Sequence, residues 1–157
     1  MDTWPEAGHV IWSELARFPG QVALLVGDTD STVACAFAEL RQATPLHVGR
    51  TLTAFPEPPS ELQVQSALSG FPVLIGTSIL FDPVLKIDAA RLLHNLARRE
   101  PARVVEWPVP TTSSPFRWPG EDGPRPVPPA LEGSLLLTAQ PISFLDQVPF
   151  TLERLRR

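Results

Sequence analysis

Apolar residues in this chain form short unbroken runs that alternate with stretches where they recur at helical spacing. The clearest case spans residues 71–107. Phe71-Pro72-Val73-Leu74-Ile75 is an apolar run opened by Pro and closed by Gly76-Thr77-Ser78, the pattern of a buried strand. After Asp88, the residues Ala89, Leu92, Leu93, Leu96 and Ala97 fall at i, i+3, i+4, i+7 and i+8, which makes one apolar helical face. Pro101 closes that helix, and Arg103 to Trp107 resumes a strand. Strand, helix and strand in this order predict a βαβ unit, with parallel strands and the helix on the sheet face.

The rest of the chain fits the same scheme. Val10 to Phe18 predicts an amphipathic helix through Ile11, Leu15 and Phe18, stopped by Pro19-Gly20 and lying across the edge of the sheet. Gln21 to Val26 reads as a strand. Gly27-Asp28-Thr29-Asp30 turns it into a helix from Ser31 to Gln42, with the oxygens of Asp28, Thr29, Asp30 and Ser31 as candidate N-caps. Pro45 to Gly49 is a short strand, Glu61 to Leu68 a second crossover helix, and Ser134 to Thr138 the last buried strand. Residues 108–133 carry Pro at 108, 110, 115, 119, 124, 126, 128 and 129, which excludes a regular helix or a central strand. In the tail, Phe150, Leu152 and Leu155 alternate only loosely. Five strands result: 21–26, 45–49, 72–76, 103–107 and 134–138. The expected fold is one α/β domain over residues 1–157, with a mostly parallel five-stranded sheet flanked by helices.

Composition narrows the functional classes. The net charge of -4 offers no global attraction to nucleic acid or to an anionic membrane. The single cysteine, Cys35, excludes an intrachain disulfide. Asp2 and Glu6 stand where a signal peptide would be basic, and no apolar run approaches the roughly 20 residues that span a bilayer. These features predict a cytoplasmic protein without a membrane partner.

A strand, a Gly turn and a helix at the start of an α/β domain is also the layout of P-loop nucleotide-binding domains, so the fold is expected to be a degenerate P-loop NTPase-like one. A working loop needs glycines whose backbone N–H groups close on the phosphates, a Lys for the outer phosphates and a hydroxyl for the metal. Gly27 is present, but the positions that follow are Asp28, Thr29, Asp30, Ser31, Thr32, Val33 and Ala34. The second Gly, the Lys and the metal hydroxyl are missing, and the one Lys of the chain, Lys86, lies after the third strand. Asp28 and Asp30 put negative charge where a triphosphate would sit. The third strand ends Leu74-Ile75-Gly76-Thr77-Ser78, without the acid that would hold a magnesium water. The expectation is a non-enzyme with no catalytic residues, metal or cofactor. Binding of ATP is disfavoured, and Gly27, Asp28, Thr29, Ser31 and Thr32 mark a vestigial nucleotide site. His9, His47 and His94 have no metal-ligand spacing, and Cys35 between two alanines reads as a small core residue.

Two features are left for recognition. Arg91, Asn95, Arg98 and Arg99 share the helix face opposite the leucines, with Arg103 close in sequence. They form either a solvated surface or a docking ridge for phosphate or a protein partner. The Pro-rich segment is either a plain surface loop or a polyproline-like recognition segment anchored by Trp107, Phe116 and Trp118.

The run from Ile79 to Leu93 (ILFDPVLKIDAARLL), followed by Leu96-Ala97-Arg98 and then Val104-Val105-Glu106-Trp107-Pro108, resembles the BrxF family. This is the small P-loop-containing protein of type 3 BREX, a bacterial phage-defence system. The likeness covers about 40 residues, with weaker agreement at Leu24-Leu25-Val26-Gly27 and Leu135-Leu136-Leu137-Thr138-Ala139. Relatives carry a P-loop lysine and glycine where this chain has Ser31, Thr32 and Val33, an acid where it has Gly76 or Thr77, and a proline where it has Ala89. The resemblance implies a divergent, non-catalytic accessory subunit that acts by binding a protein partner. That partner would be another BREX component, such as its large ATPase, its methyltransferase or its phosphatase-like protein, with Arg91, Asn95, Arg98 and Arg99 as candidate contacts. Two alternatives belong to other classes: a nucleotide-binding ATPase completed in trans by a neighbouring subunit, and a nucleic-acid-binding module using the same arginines, whose affinity would fall steeply with salt.

Overall fold

The structure, a computed structural model, describes residues 3–28, 30–99, 101–108, 118–119, 126–140 and 148–155. Helix α1 (Trp4–Arg17) leads into strand β1 (Ala23–Val26), helix α2 (Thr32–Leu40), strand β2 (Leu46–His47) and the short helix α3 (Val48–Thr53). Helix α4 (Glu61–Leu68), strand β3 (Val73–Ile75), helix α5 (Ala89–Ala97), strand β4 (Val104–Glu106), strand β5 (Leu135–Ala139) and strand β6 (Phe150–Arg154) complete it. The fold is α/β, and its sheet has six strands in the order β2-β3-β4-β1-β5-β6, parallel except for β6.

The central strands β1, β3, β4 and β5 are covered on both faces, which is why they read as unbroken apolar runs. Alternate residues point to opposite sides. Leu24, Leu74, Val105 and Leu136 face one core with α4, α5, Trp107 and Leu131. Ala23, Leu25, Val73, Val104, Leu135 and Leu137 face the other with α1 and α2. The apolar stripe of α5 is fully used, with Ala89, Leu92, Leu93, Leu96 and Ala97 all buried. Asp88 caps its start by accepting the Arg91 N–H at 3.1 Å. A capping box opens α4: Ser60 Oγ accepts from Gln63 N–H at 3.2 Å, and Gln63 Oε1 accepts from Ser60 N–H at 2.8 Å.

Four expectations are corrected. The first helix begins at Trp4 rather than Val10, because Pro5 suits a first helical turn and Trp4 packs edge-on against Phe37 at 4.9 Å. It lies on a sheet face beside α2, not across an edge, with Ala7, Ile11, Trp12 and Leu15 in the core. The strand at 45–49 is only two residues long: the His47 ring accepts the Arg50 N–H at 3.1 Å, and this cap starts α3. The tail supplies a sixth strand, β6, antiparallel to β5, in which only Phe150 is buried. An outer strand needs little apolar surface, so its alternation is weak in the sequence.

Of the Pro-rich stretch, residues 109–117 and 120–125, including the proposed anchor Phe116, lie outside the described residues. The other two anchors, Trp107 and Trp118, pack with Phe81 in a near-perpendicular cluster at centroid distances of 5.0, 5.3 and 5.4 Å. No helix among the described residues is long and apolar enough to cross a membrane.

Candidate functional site

The chain leaves β1 toward α2 on one face of the sheet, and leaves the neighbouring β4 toward Val127 and Leu131 on the other. Divergence of this kind opens a crevice at the carboxyl ends of the strands, the usual ligand position in open α/β sheets. Gly27, Asp28, Ser31 and Thr32 lie there, together with Gly76 after β3 and Glu106 at the end of β4. Thr29 lies outside the described residues.

The groups in this crevice satisfy one another. The first N–H groups of a helix lack partners within the helix and attract anions. On α2, the Val33 and Ala34 N–H groups donate to the two carboxylate oxygens of Asp28, at 3.1 and 2.9 Å. Among the described candidates, Asp28 is thus the one that caps. Ser31 precedes α2 in the left-handed region, φ 56, and turns its hydroxyl away from the helix to donate to Glu106 Oε2 at 2.5 Å. Glu106 Oε1 accepts the Gly76 N–H at 2.8 Å, and Thr77 donates its hydroxyl to the Glu106 backbone carbonyl at 2.5 Å. One carboxylate therefore ties the β1–α2 turn to the end of β3. Gly76 is required in this arrangement: its φ is 59, and a Cβ there would meet the His47 ring at 2.2 Å.

Glu106 was not picked out from the sequence. It is the one acid that ends an apolar strand run, and that signal was available. Cys35 is exposed rather than a core residue. Partial burial, then the nearby carboxylates of Asp28, Glu106 and Glu39, push its thiol pKa up, so the thiolate a nucleophile needs is suppressed at neutral pH. His47 serves as the α3 cap, and His94 Nδ1 lies 3.2 Å from the Gly20 carbonyl oxygen. Among the described residues no three His, Cys, Asp or Glu side chains are placed to hold a metal ion.

The basic helix face splits into three roles. Arg91 donates to both carboxylate oxygens of Glu61 on α4, at 3.3 and 2.6 Å, an exposed ion pair that joins the two helices. Arg103, close to the ridge in sequence, is fully buried. Its guanidinium donates to the carbonyls of Leu96 at 2.5 Å, Arg99 at 3.2 Å and Pro101 at 3.0 Å, and to that of Ser69 after α4. Burial lowers its pKa to about 10, which leaves it charged at neutral pH. Asn95, Arg98 and Arg99 form the third group, lining a polar hollow with Gln65 of α4. Among the described residues, neither Arg98 nor Arg99 has an acceptor for its guanidinium.

Comparison with protein families, with curated proteins and with solved structures finds no match.

Proposed function

We propose that this chain is a non-catalytic accessory protein that acts by binding a protein partner, on a P-loop-like frame whose phosphate position is filled by the protein's own carboxylate. The observation that carries the reading is Asp28 on the Val33 and Ala34 amides. In a working phosphate loop these donors are free for the ligand. Here a nucleotide would have to break two charge-assisted bonds and bring its own negative charge beside Asp28 and Glu106, with no lysine nearby to offset it. The resemblance to the BrxF family supports membership of a bacterial anti-phage, BREX-like system, with another component of that system as the partner. The exposed side chains of Arg98 and Arg99, which have no acceptor among the described residues, supply a surface for it.

Calorimetric titration of the purified protein with ATP and magnesium tests this reading. No heat and no thermal shift are expected. Micromolar binding would overturn it in favour of an ATPase completed in trans.

A further inference from the structure

We propose that the hollow at the amino-terminal edge of the sheet is a docking cleft for an acidic protein segment, one that presents an apolar side chain flanked by carboxylates. This rests on the partner-binding reading above and gives the partner's chemistry. The hollow, of about 690 Å³, lies between the C-terminal ends of α1, α2 and α5. Its lining is apolar at Leu15, Ala16, Pro19, Ala97, Pro101 and Ala102. Three arginines, Arg41, Arg98 and Arg99, complete the lining. Arg98 and Arg99 also wall the adjoining polar hollow of about 460 Å³ that holds Gln65 and Asn95. A cleft of this size takes one or two side chains of a peptide, and the neighbouring donors take its flanking carboxylates.

The freedom of these arginines has a structural cause. The last carbonyls of a helix attract nearby cations, so Arg98 and Arg99 at the end of α5 would ordinarily fold back onto them. Those carbonyls are already taken. Arg103 holds Leu96 and Arg99 from beneath, and the Gly20 N–H donates to the Ala97 carbonyl at 3.0 Å. The Arg41 guanidinium lies over the Trp12 ring, 4.7 Å from its centroid, and its N–H groups have no acceptor among the described residues. Three arginines beside apolar lining suit a carboxylate-bearing peptide that also carries an apolar side chain better than nucleic acid. A sugar–phosphate backbone calls for a track of cations and gains nothing from the apolar part of the lining.

The test is fluorescence anisotropy with a labelled Asp-Glu-Leu-Phe-Asp-Glu peptide, its Lys-for-acid counterpart and a labelled short DNA duplex. The acidic peptide alone should bind. Its affinity should fall about tenfold or more in the Arg98→Ala/Arg99→Ala variant, with circular dichroism unchanged. Ala16→Trp, which fills the hollow without altering charge, should weaken binding to a similar extent, and Arg91→Ala should leave it intact. Three results would each overturn the proposal: no peptide binding by the wild-type protein, undiminished binding by Ala16→Trp, or duplex binding tighter than peptide binding and lost with Arg98 and Arg99. A silent ATP titration with no peptide binding removes only this inference, whereas heat on adding ATP removes the reading on which it rests.

Discussion

At the carboxyl end of the sheet, Asp28 holds the first amides of α2 and Glu106 holds Ser31 and Gly76, so charges and donors are matched within a few ångströms. At the amino end, one arginine, Arg103, is buried among carbonyls, whereas Arg98 and Arg99 have no acceptor for their guanidiniums among the described residues. The two ends differ in where the chain's own opposite partners fall. A charge matched by its neighbours becomes part of the scaffold, and one whose natural partners are already taken is available to another molecule. In the crevice that such a sheet ordinarily offers to ligands, Asp28 and Glu106 are hydrogen-bonded to the chain's own groups, and the exposed Arg98 and Arg99 lie at the opposite end.

Four perturbations test that contrast. The largest effect is expected from Arg103→Ala, which strands several buried carbonyls and opens a cavity. It should cost roughly 2–4 kcal/mol in urea denaturation, and a smaller loss would mean that Arg103 is no cornerstone of the amino end. Next comes Glu106→Ala. It removes the acceptor of the Ser31 hydroxyl and the Gly76 amide and should cost about 1–3 kcal/mol, with faster hydrogen exchange at Gly76. Asp28→Ala should cost about 1 kcal/mol through loss of the α2 cap. It should also let inorganic phosphate raise the thermal midpoint of the variant but not of the wild-type protein, and equal stabilisation of both would show that Asp28 does not fill an anion position. Least is expected of Arg91→Ala, whose exposed pairing with Glu61 should leave the denaturation midpoint unchanged. A clear shift there would assign the basic helix face to stability rather than to recognition.

Much of the frame is legible in the residues. The apolar runs mark five of the six strands because parallel strands buried on both faces cannot alternate, and the leucine spacing after Asp88 marks α5 because one stripe of it meets the sheet. Strand β6 escapes because only Phe150 needs to be apolar at an edge. The short helix after His47 escapes because its start depends on an imidazole cap rather than on a hydrophobic period. At the candidate site, the absence of a lysine and of a second glycine after Gly27 is plain from the sequence. That Asp28 takes the helix amides is not, because four adjacent residues carry oxygens able to cap and only the turn geometry selects one. The ridge of Arg91, Asn95, Arg98 and Arg99 is visible as a helical face, yet its division is not. Arg91 finds Glu61 thirty positions earlier, and Arg103, alike in type and close in sequence, goes inside.

The sequence alone determined the alternation of buried strands and amphipathic helices and the loss of the residues that phosphate chemistry needs, since both are local properties of pattern and composition. Tertiary structure decided which charges find partners. Partnering depends on hydrogen-bonding distances between residues far apart in the chain, such as Ser31 with Glu106 and Arg103 with Ser69. No local pattern encodes those distances until the sheet has brought its ends together.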